Sequence, residues 1–224
     1  MIAKRIFAMG AVLGALLGTS PATAQRDAPF YADGLYGWYE AGPAYAPRAR
    51  LRDFFGVPVG GAQLKFDPGF HFGIGIGREI TPVFKVEVES GYNYNGLDRI
   101  NGATASSANF HRVPVLANLV LQYPTPAGIV PMIGAGVGGQ WLHLDAQNIV
   151  LAGTTLNDSS DTWVFTYQGF AGVSYQFWER FGLGLFYRFN VADSPSWEFR
   201  NVPGNFKLNQ LRTHSVSLTF SWVF

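Results

Sequence analysis

The last ten residues of the chain keep a strict two-residue rhythm. Val216, Leu218, Phe220, Trp222 and Phe224 share one parity, and Ser215, Ser217, Thr219 and Ser221 share the other. Successive side chains of a β-strand point to opposite faces, so this segment predicts a strand with one apolar and one polar side. The same rhythm recurs upstream. Phe181, Leu183, Leu185, Tyr187, Phe189 and Val191 alternate with Gly182, Gly184, Phe186, Arg188 and Asn190. Trp163, Phe165, Tyr167, Ala171, Val173, Tyr175 and Phe177 alternate with Thr166, Gln168, Gly172, Ser174 and Gln176. Ile129, Ile133, Ala135, Val137 and Trp141 oppose Gly134, Gly136, Gly138 and Gln140. Val113, Val115, Ala117, Leu119, Leu121 and Tyr123 oppose Arg112, Asn118 and Gln122. Phe84, Val86, Val88, Tyr92 and Tyr94 oppose Lys85, Glu87, Glu89 and Asn93, and Phe70, Phe72, Ile74 and Ile76 oppose His71, Gly73, Gly75 and Gly77. The first strand, around Leu35 to Tyr45, is the least regular, with Tyr39, Ala41 and Tyr45 on the apolar side and Trp38, Glu40 and Gly42 on the other.

Eight such segments follow, each about ten residues or longer, the length a tilted strand needs to cross a bilayer. Pro43, Pro114 and Pro131 fall inside them. A closed sheet has no edge to host proline, so each removes a ladder bond and counts against these boundaries. The connections alternate in length. Short ones lie near Arg78 to Pro82, Pro124 to Gly128 and Trp178 to Arg180. Long ones lie near Ala46 to Pro68, Asn95 to Asn109, Asp145 to Asp161 and Ala192 to Leu211. All long loops then lie on one side, which is the short-periplasmic-turn, long-extracellular-loop topology of an outer-membrane barrel. Val202-Pro203-Gly204-Asn205 has the Pro-Gly centre of a β-turn, so the final hairpin is expected to project above the membrane.

Composition decides which side faces out. Charged residues make up 14% of the chain, against about 25% in soluble domains. After the first 24 residues no apolar run reaches the roughly 20 residues of a membrane helix. In hydrocarbon every backbone donor and acceptor must be paired internally, so strands with a lipid face must close into a barrel. A soluble eight-stranded barrel would carry its apolar side inside. The apolar parity holds well over a dozen aromatic rings, too many for an interior just wide enough for side chains. The opposite parity is rich in Gly, Ser and Gln, which suits a tight lumen. The expected fold is an all-β, closed antiparallel up-and-down transmembrane barrel of eight strands.

The start of the chain reads as an export signal. Lys4 and Arg5 precede the apolar stretch Ile6 to Leu17, then Pro21 and the small-residue site Ala22-Thr23-Ala24. Residues 1–24 are expected to be cleaved, and residues 25–224 to form the barrel domain. The 16 basic residues less Lys4 and Arg5 leave 14 against 15 acids, a net of −1, which favours neither nucleic acid nor an anionic surface. With no cysteine there is no disulfide framework and no thiolate metal site.

The inward parity also carries Glu40, Lys85, Glu87, Glu89, Arg112 and Arg188, three acids and three bases. A charge in a narrow lumen must be paired or wet, because burying it alone is costly. A paired lumen network is expected, with a fixed-charge transport path as the alternative.

The signal ending Ala22-Thr23-Ala24, the Gly-aromatic opening strand Gly34-Leu35-Tyr36-Gly37-Trp38-Tyr39 and the closing Val216 to Phe224 together resemble the small outer-membrane β-barrel proteins of Gram-negative bacteria, the porin-like and opacity-type surface proteins with an eight-stranded domain. The resemblance implies that Val216, Leu218, Phe220, Trp222 and the terminal Phe224 form the signal read by the outer-membrane insertion machinery. It implies outer-membrane lipid and lipopolysaccharide as the surroundings, with an extracellular ligand that the sequence leaves unknown. Members of the family differ in role, including adhesion, envelope integrity and weak diffusion pores, and function does not follow from fold.

Other motifs are weaker. Gly134-Ala135-Gly136-Val137-Gly138-Gly139 satisfies G-x-G-x-x-G, but a nucleotide site needs a helix to follow, and a strand ending in Trp141 follows instead. His71, His111, His143 and His214 show no spacing that converges ligands on one face. Asp145, Asp158 and Asp161 share a long loop without the order of a calcium loop. One family of eight-stranded barrels deacylates lipid A with a His and a Ser two residues apart on a late strand. The comparable Leu185-Phe186-Tyr187-Arg188-Phe189-Asn190 has Tyr and Phe there, and the adjacent His214 and Ser215 point to opposite faces. No enzyme, cofactor or metal is expected. The expected role is structural or surface-interacting, with a small-solute channel as the alternative.

Overall fold

In the computed structural model of the protein, the described residues are 34–57, 61–101, 103, 107–151, 153–178, 180–200 and 202–224. The expected signal segment lies outside them. Twelve strands follow in chain order: β1 (Leu35–Tyr45), β2 (Ala49–Phe54), β3 (Gln63–Phe66), β4 (Gly69–Thr81), β5 (Phe84–Ile100), β6 (Ala108–Gln122), β7 (Ile129–Leu151), β8 (Thr154–Trp178), β9 (Phe181–Asp193), β10 (Ser196–Glu198), β11 (Asn205–Leu208) and β12 (Gln210–Val223).

Eight of them close into a ring. β1 pairs with β4 on one side and with β12 on the other, so Tyr39 lies across from both Ile74 and Phe220. From β4 the ladder runs through β5, β6, β7, β8 and β9 back to β12, each pair antiparallel. Closure satisfies the backbone in lipid without leaving an edge. The parity follows the alternation: Leu218 is 62% exposed on the outer face and its neighbour Thr219 8% exposed inside. Trp163, Phe165, Leu119 and Val137 are likewise bare on the outer face, as a lipid-facing belt requires.

The prolines lie inside the strands after all. Pairing of β1 with β12 passes from Ala41–Leu218 to Ala44–Ser215, leaving Gly42 and Pro43 out of that ladder. β5 and β6 pass from Ser90–Val115 to Asn93–Arg112, leaving Val113 and Pro114 out. Each of these prolines therefore sits where one ladder is already interrupted, and Ser90 Oγ donates to the Pro114 carbonyl at 2.9 Å. Pro131 sits at the end of the β6–β7 ladder, just beyond the last pair, Gln122–Met132.

The long connections differ from the loops expected of them. The β7–β8 hairpin stays paired from Ile129–Tyr175 out to Leu151–Thr154, with one irregularity beyond Ala146. β5 runs on to Ile100, and β6 begins at Ala108. The first and last connections contribute β2, β3, β10 and β11, which extend the sheet in the order β10-β11-β2-β3-β5. The physical reason is a reversal of polarity at constant parity. Beyond Trp141, the inward residues Leu142, Leu144 and Ala146 are apolar and the outward His143 and Asp145 are polar. Water replaces lipid outside, so the alternation persists with its sides exchanged.

Candidate functional site

The lumen is narrow, and its glycines are where rings lie. A Cβ on Gly75 would come within 2.5 Å of the Trp38 indole, and one on Gly134 would overlap the Phe170 ring. The glycine-rich run from Gly134 is therefore clearance for an inward aromatic on the neighbouring β8 strand, not a phosphate loop. Phe170 and Phe186 pack edge-on at 6.4 Å inside the barrel, with Val120 buried against them. Phe170 breaks the polar character expected of the inward parity, and the glycine opposite it was the available signal.

The six inward charges are all buried. Arg188 reaches Glu40 at 2.6 Å and Glu89 at 3.1 Å. Its guanidinium also lies over the Phe170 ring at 4.4 Å and the Trp38 ring at 5.1 Å. Glu40 is shared further: His71 Nε2 lies 2.6 Å away, and the hydroxyls of Ser217 and Thr219 donate to it at 3.0 and 3.1 Å. Glu89 accepts from Asn118 at 2.8 Å and from Gln168 at 2.7 Å. Strands β1, β4, β5, β6, β8, β9 and β12 thus send side chains into one cluster across the lumen. Such a cluster satisfies lone pairs that desolvation would otherwise penalise by several kcal/mol per ion.

Three of the six stand apart. Glu87 accepts from the Tyr36 hydroxyl at 2.6 Å, and Lys85 lies 4.4 Å from the same ring. Arg112 is further out along the barrel and contacts neutral groups, Thr213 Oγ1 and Asn95 Oδ1. Asn95 in turn donates to the carbonyls of Ala44 and Asp67. The expected paired network is divided into three groups, because Arg112 pairs with Asn93, four residues beyond Glu89 along β5. Between them and the end bearing the short turns lies a cavity of about 50 Å³, lined by Lys85, Glu87, Ser174 and Arg188 among others. That is room for a few waters and for no sizeable ligand.

Above Arg112 the lumen changes character. Inner-face residues from β5 to β9 and from β12, including Ile100, Phe110, Leu142, Leu144 and Leu156, meet Phe54, Leu64, Trp197 and Phe206 of the added strands in one apolar core. Trp197 is fully buried, donates its indole N–H to the Leu142 carbonyl at 3.3 Å and stacks edge-on against Phe110 at 5.8 Å. Phe206 continues the contact to Phe54 at 5.9 Å. The outer mouth is filled by side chains.

The outer wall holds what histidine spacing alone did not reveal. His111 of β6 and His143 of β7 are directly paired, with rings 5.7 Å apart on the outer face. The convergence arises from register across two strands, which spacing along the chain does not encode. His143 is taken by Asp161 at 2.6 Å and His111 by the Tyr92 hydroxyl at 2.5 Å. Among the described residues no group of three such ligands could hold a metal ion. His214 meets Tyr187 at 2.6 Å on the outer face as well. Tyr92, Tyr94, Trp141 and these histidines form the aromatic, polar-tipped girdle of a membrane interface. At the opposite rim, Phe220, Trp222 and Phe224 follow one another along the outer face of β12 and beyond its end, in ring contact.

A family model described as "Outer membrane protein beta-barrel domain" matches residues 9–224. No curated protein sequence matches the chain. Among solved structures it is similar to the outer membrane protein OprG from Pseudomonas aeruginosa, at 12% identity and a TM-score of 0.54, covering 87% of this chain and 99% of that one. It is also similar to Neisserial surface protein A, at 18% identity and a TM-score of 0.49, covering 85% and 97%. With the outer membrane protein AlkL the identity is 18% and the TM-score 0.44, covering 87% and 92%. The closed ring with its lipid-facing belt and the match over nearly the whole chain agree: this protein belongs to the outer-membrane protein β-barrel domain family and resides in the bacterial outer membrane.

Proposed function

We propose that this protein is a sealed barrel with a structural or surface-interacting role, not a channel and not an enzyme. The observation that carries this is the filled outer mouth. A solute leaving the lumen outward would have to displace Trp197, Phe110 and Phe206, all essentially inaccessible to solvent. Below them the Arg188–Glu40–Glu89 cluster spans the lumen, its ions engaged with one another and with neutral partners. Interfaces with other molecules are then left to the outer wall and the extracellular sheet.

Three further assignments accompany this reading. Residues 1–24 serve as the export signal, cut after Ala24. The outward series Val216, Leu218, Phe220, Trp222 and Phe224 is read by the insertion machinery. The standing partners are outer-membrane lipid and lipopolysaccharide.

Planar-bilayer recording on the purified full chain tests the sealed barrel. The expected trace is quiet at moderate voltage. Large, stable single-channel steps from pure protein would sink it and favour the small-solute channel.

A further inference from the structure

The extracellular sheet carries a basic face on its outer side. β2 pairs with β3 through Arg50–Gln63, and β3 with β5 through Lys65–Arg99. Cross-strand partners share a face, and residues two apart on a strand share it too, so Arg48, Arg50, Gln63, Lys65 and Arg99 all point the same way. The residues between them, Ala49, Leu51, Leu64, Phe66 and Ile100, are buried in the apolar core. An irregularity in the β3–β5 register between Lys65 and Phe66 puts Asp98 beside Arg99, so that Asp98 Oδ2 accepts from Lys65 Nζ at 2.8 Å and from Arg99 Nε at 3.2 Å. Asp98 is the acid hydrogen-bonded to these cations. Their pull holds its carboxyl below the ordinary range. Arg48, Gln63, Lys65, Arg99 and Asn101 line an open recess of about 260 Å³.

Place decides what such a recess meets. The exterior face of β5 carries Val86, Val88, Tyr92 and Tyr94 through the belt and girdle before it reaches Asp98 and Arg99. Five residues beyond Tyr94, at about 3.3 Å each and a tilt of about 40°, raise Arg99 on the order of 12 Å above the girdle. The lining side chains lie on the outer face of the sheet at that height. Beside the wall stands the polar zone of the outer leaflet, whose glycolipid carries phosphate on its sugars. A chain whose mature part has no excess of positive charge concentrates it here.

We propose that this recess binds phosphate groups of lipopolysaccharide, with Arg48, Lys65 and Arg99 as the cationic ligands and Gln63 and Asn101 as neutral donors. Arginine presents a planar fork matched to phosphate oxygens, and lysine a point charge. Asp98 positions Lys65 and Arg99 and competes with the incoming anion. The inference rests on the structural reading above and deepens its lipid partner, but its test does not depend on whether the lumen conducts.

The test uses the full chain in detergent micelles, titrated against fluorescent short-core lipopolysaccharide, native or enzymatically dephosphorylated. Native lipopolysaccharide should bind and weaken with added salt, as exposed charges are screened. Dephosphorylation should lower affinity by about tenfold or more, and so should R48Q/K65Q/R99Q, since each surface cation is worth about fivefold. Arg48 and Arg99 are exposed and Lys65 is half-buried, and an unchanged heat-dependent gel shift of the variant shows that the barrel is intact. Asp98→Asn should act oppositely, tightening binding about two- to fivefold as the competing carboxylate is lost. Equal binding of dephosphorylated lipopolysaccharide, an unmoved triple variant or weaker binding by Asp98→Asn would overturn the proposal. So would heparin that binds while lipopolysaccharide does not, which would assign the recess to a soluble polyanion.

Discussion

The membrane half and the extracellular half of this barrel use one alternation with opposite meanings. Along β7, Ile133 and Val137 face out bare while Gly136 and Gln140 face in. A few residues further on, Leu142 and Leu144 face in, fully buried, while His143 and Asp145 face out. Nothing changes in backbone or register between the two stretches. What changes is the surrounding medium. In lipid the apolar side gains nothing by turning inward, and the lumen is left to polar side chains that must satisfy one another. In water the apolar side must be hidden, and the same ring of strands closes over a core like that of a soluble domain.

The strongest way to break this comparison is to remove the centre of the outer core. Trp197→Ala should cost about 3–5 kcal/mol. Urea unfolding in micelles would read the loss, and protease sensitivity should rise in residues 196–211 before the barrel itself opens. A variant as stable as the parent would mean that the outer half contributes no core. Next comes the lipid face. Leu218→Arg should weaken folding into bilayers by about 2–4 kcal/mol, and Thr219→Arg by less, since a lumen position can hydrate or pair. Crowding inside a small barrel gives the second change its own cost. Equal losses would leave the direction of the apolar side open, and the reverse order would mean that it points inward. The comparison sharpens with a third arginine on the outer face of the extracellular half. Ser159 is exposed there, and Ser159→Arg should stay within about 0.5 kcal/mol of the parent. Two outward arginines with very different costs would locate the boundary between the media. The mildest perturbation is a tag. One inserted near Gly153 or Gly204 should be labelled on intact cells, and one near Thr125 only after the outer membrane is permeabilised. Labelling of Thr125 on intact cells would overturn the strand count or the orientation.

The eight membrane strands and their parity were legible because the apolar face is long, aromatic and strictly alternating. The extracellular core was not. Phe54, Trp197 and Phe206 lie in stretches whose pattern is broken by short strands and turns, and Leu142 and Leu144 fall on the side that the membrane segments had marked as polar. Positive φ at the non-glycine residues Phe55 and Ser194, between strands, and at Asn148, in the irregularity within β7, marks bends that composition does not announce. Within the lumen, inward acids and bases can be counted from parity, but their grouping depends on stagger between strands. Arg188 meets Glu40 and Glu89 from β9, whereas Arg112, on the strand next to Glu89, lands out of reach. The His111–His143 pairing was hidden for the same reason.

One junction has a mechanical meaning. β2 follows β1 and β11 precedes β12, and β1–β12 is the seam where the first and last strands meet. Phe206 pairs with Phe54, Lys207 with Asp53 and Leu208 with Leu51, and Asn209 donates to the Arg50 carbonyl at 3.0 Å. The seam is thereby prolonged past the membrane and buttoned by an apolar clasp. A barrel whose last strand must zip to its first is weakest at that joint until the zip is complete. Here the joint cannot slide by two residues without pulling Phe206 out of its socket, so the clasp fixes the register in which the cylinder is locked.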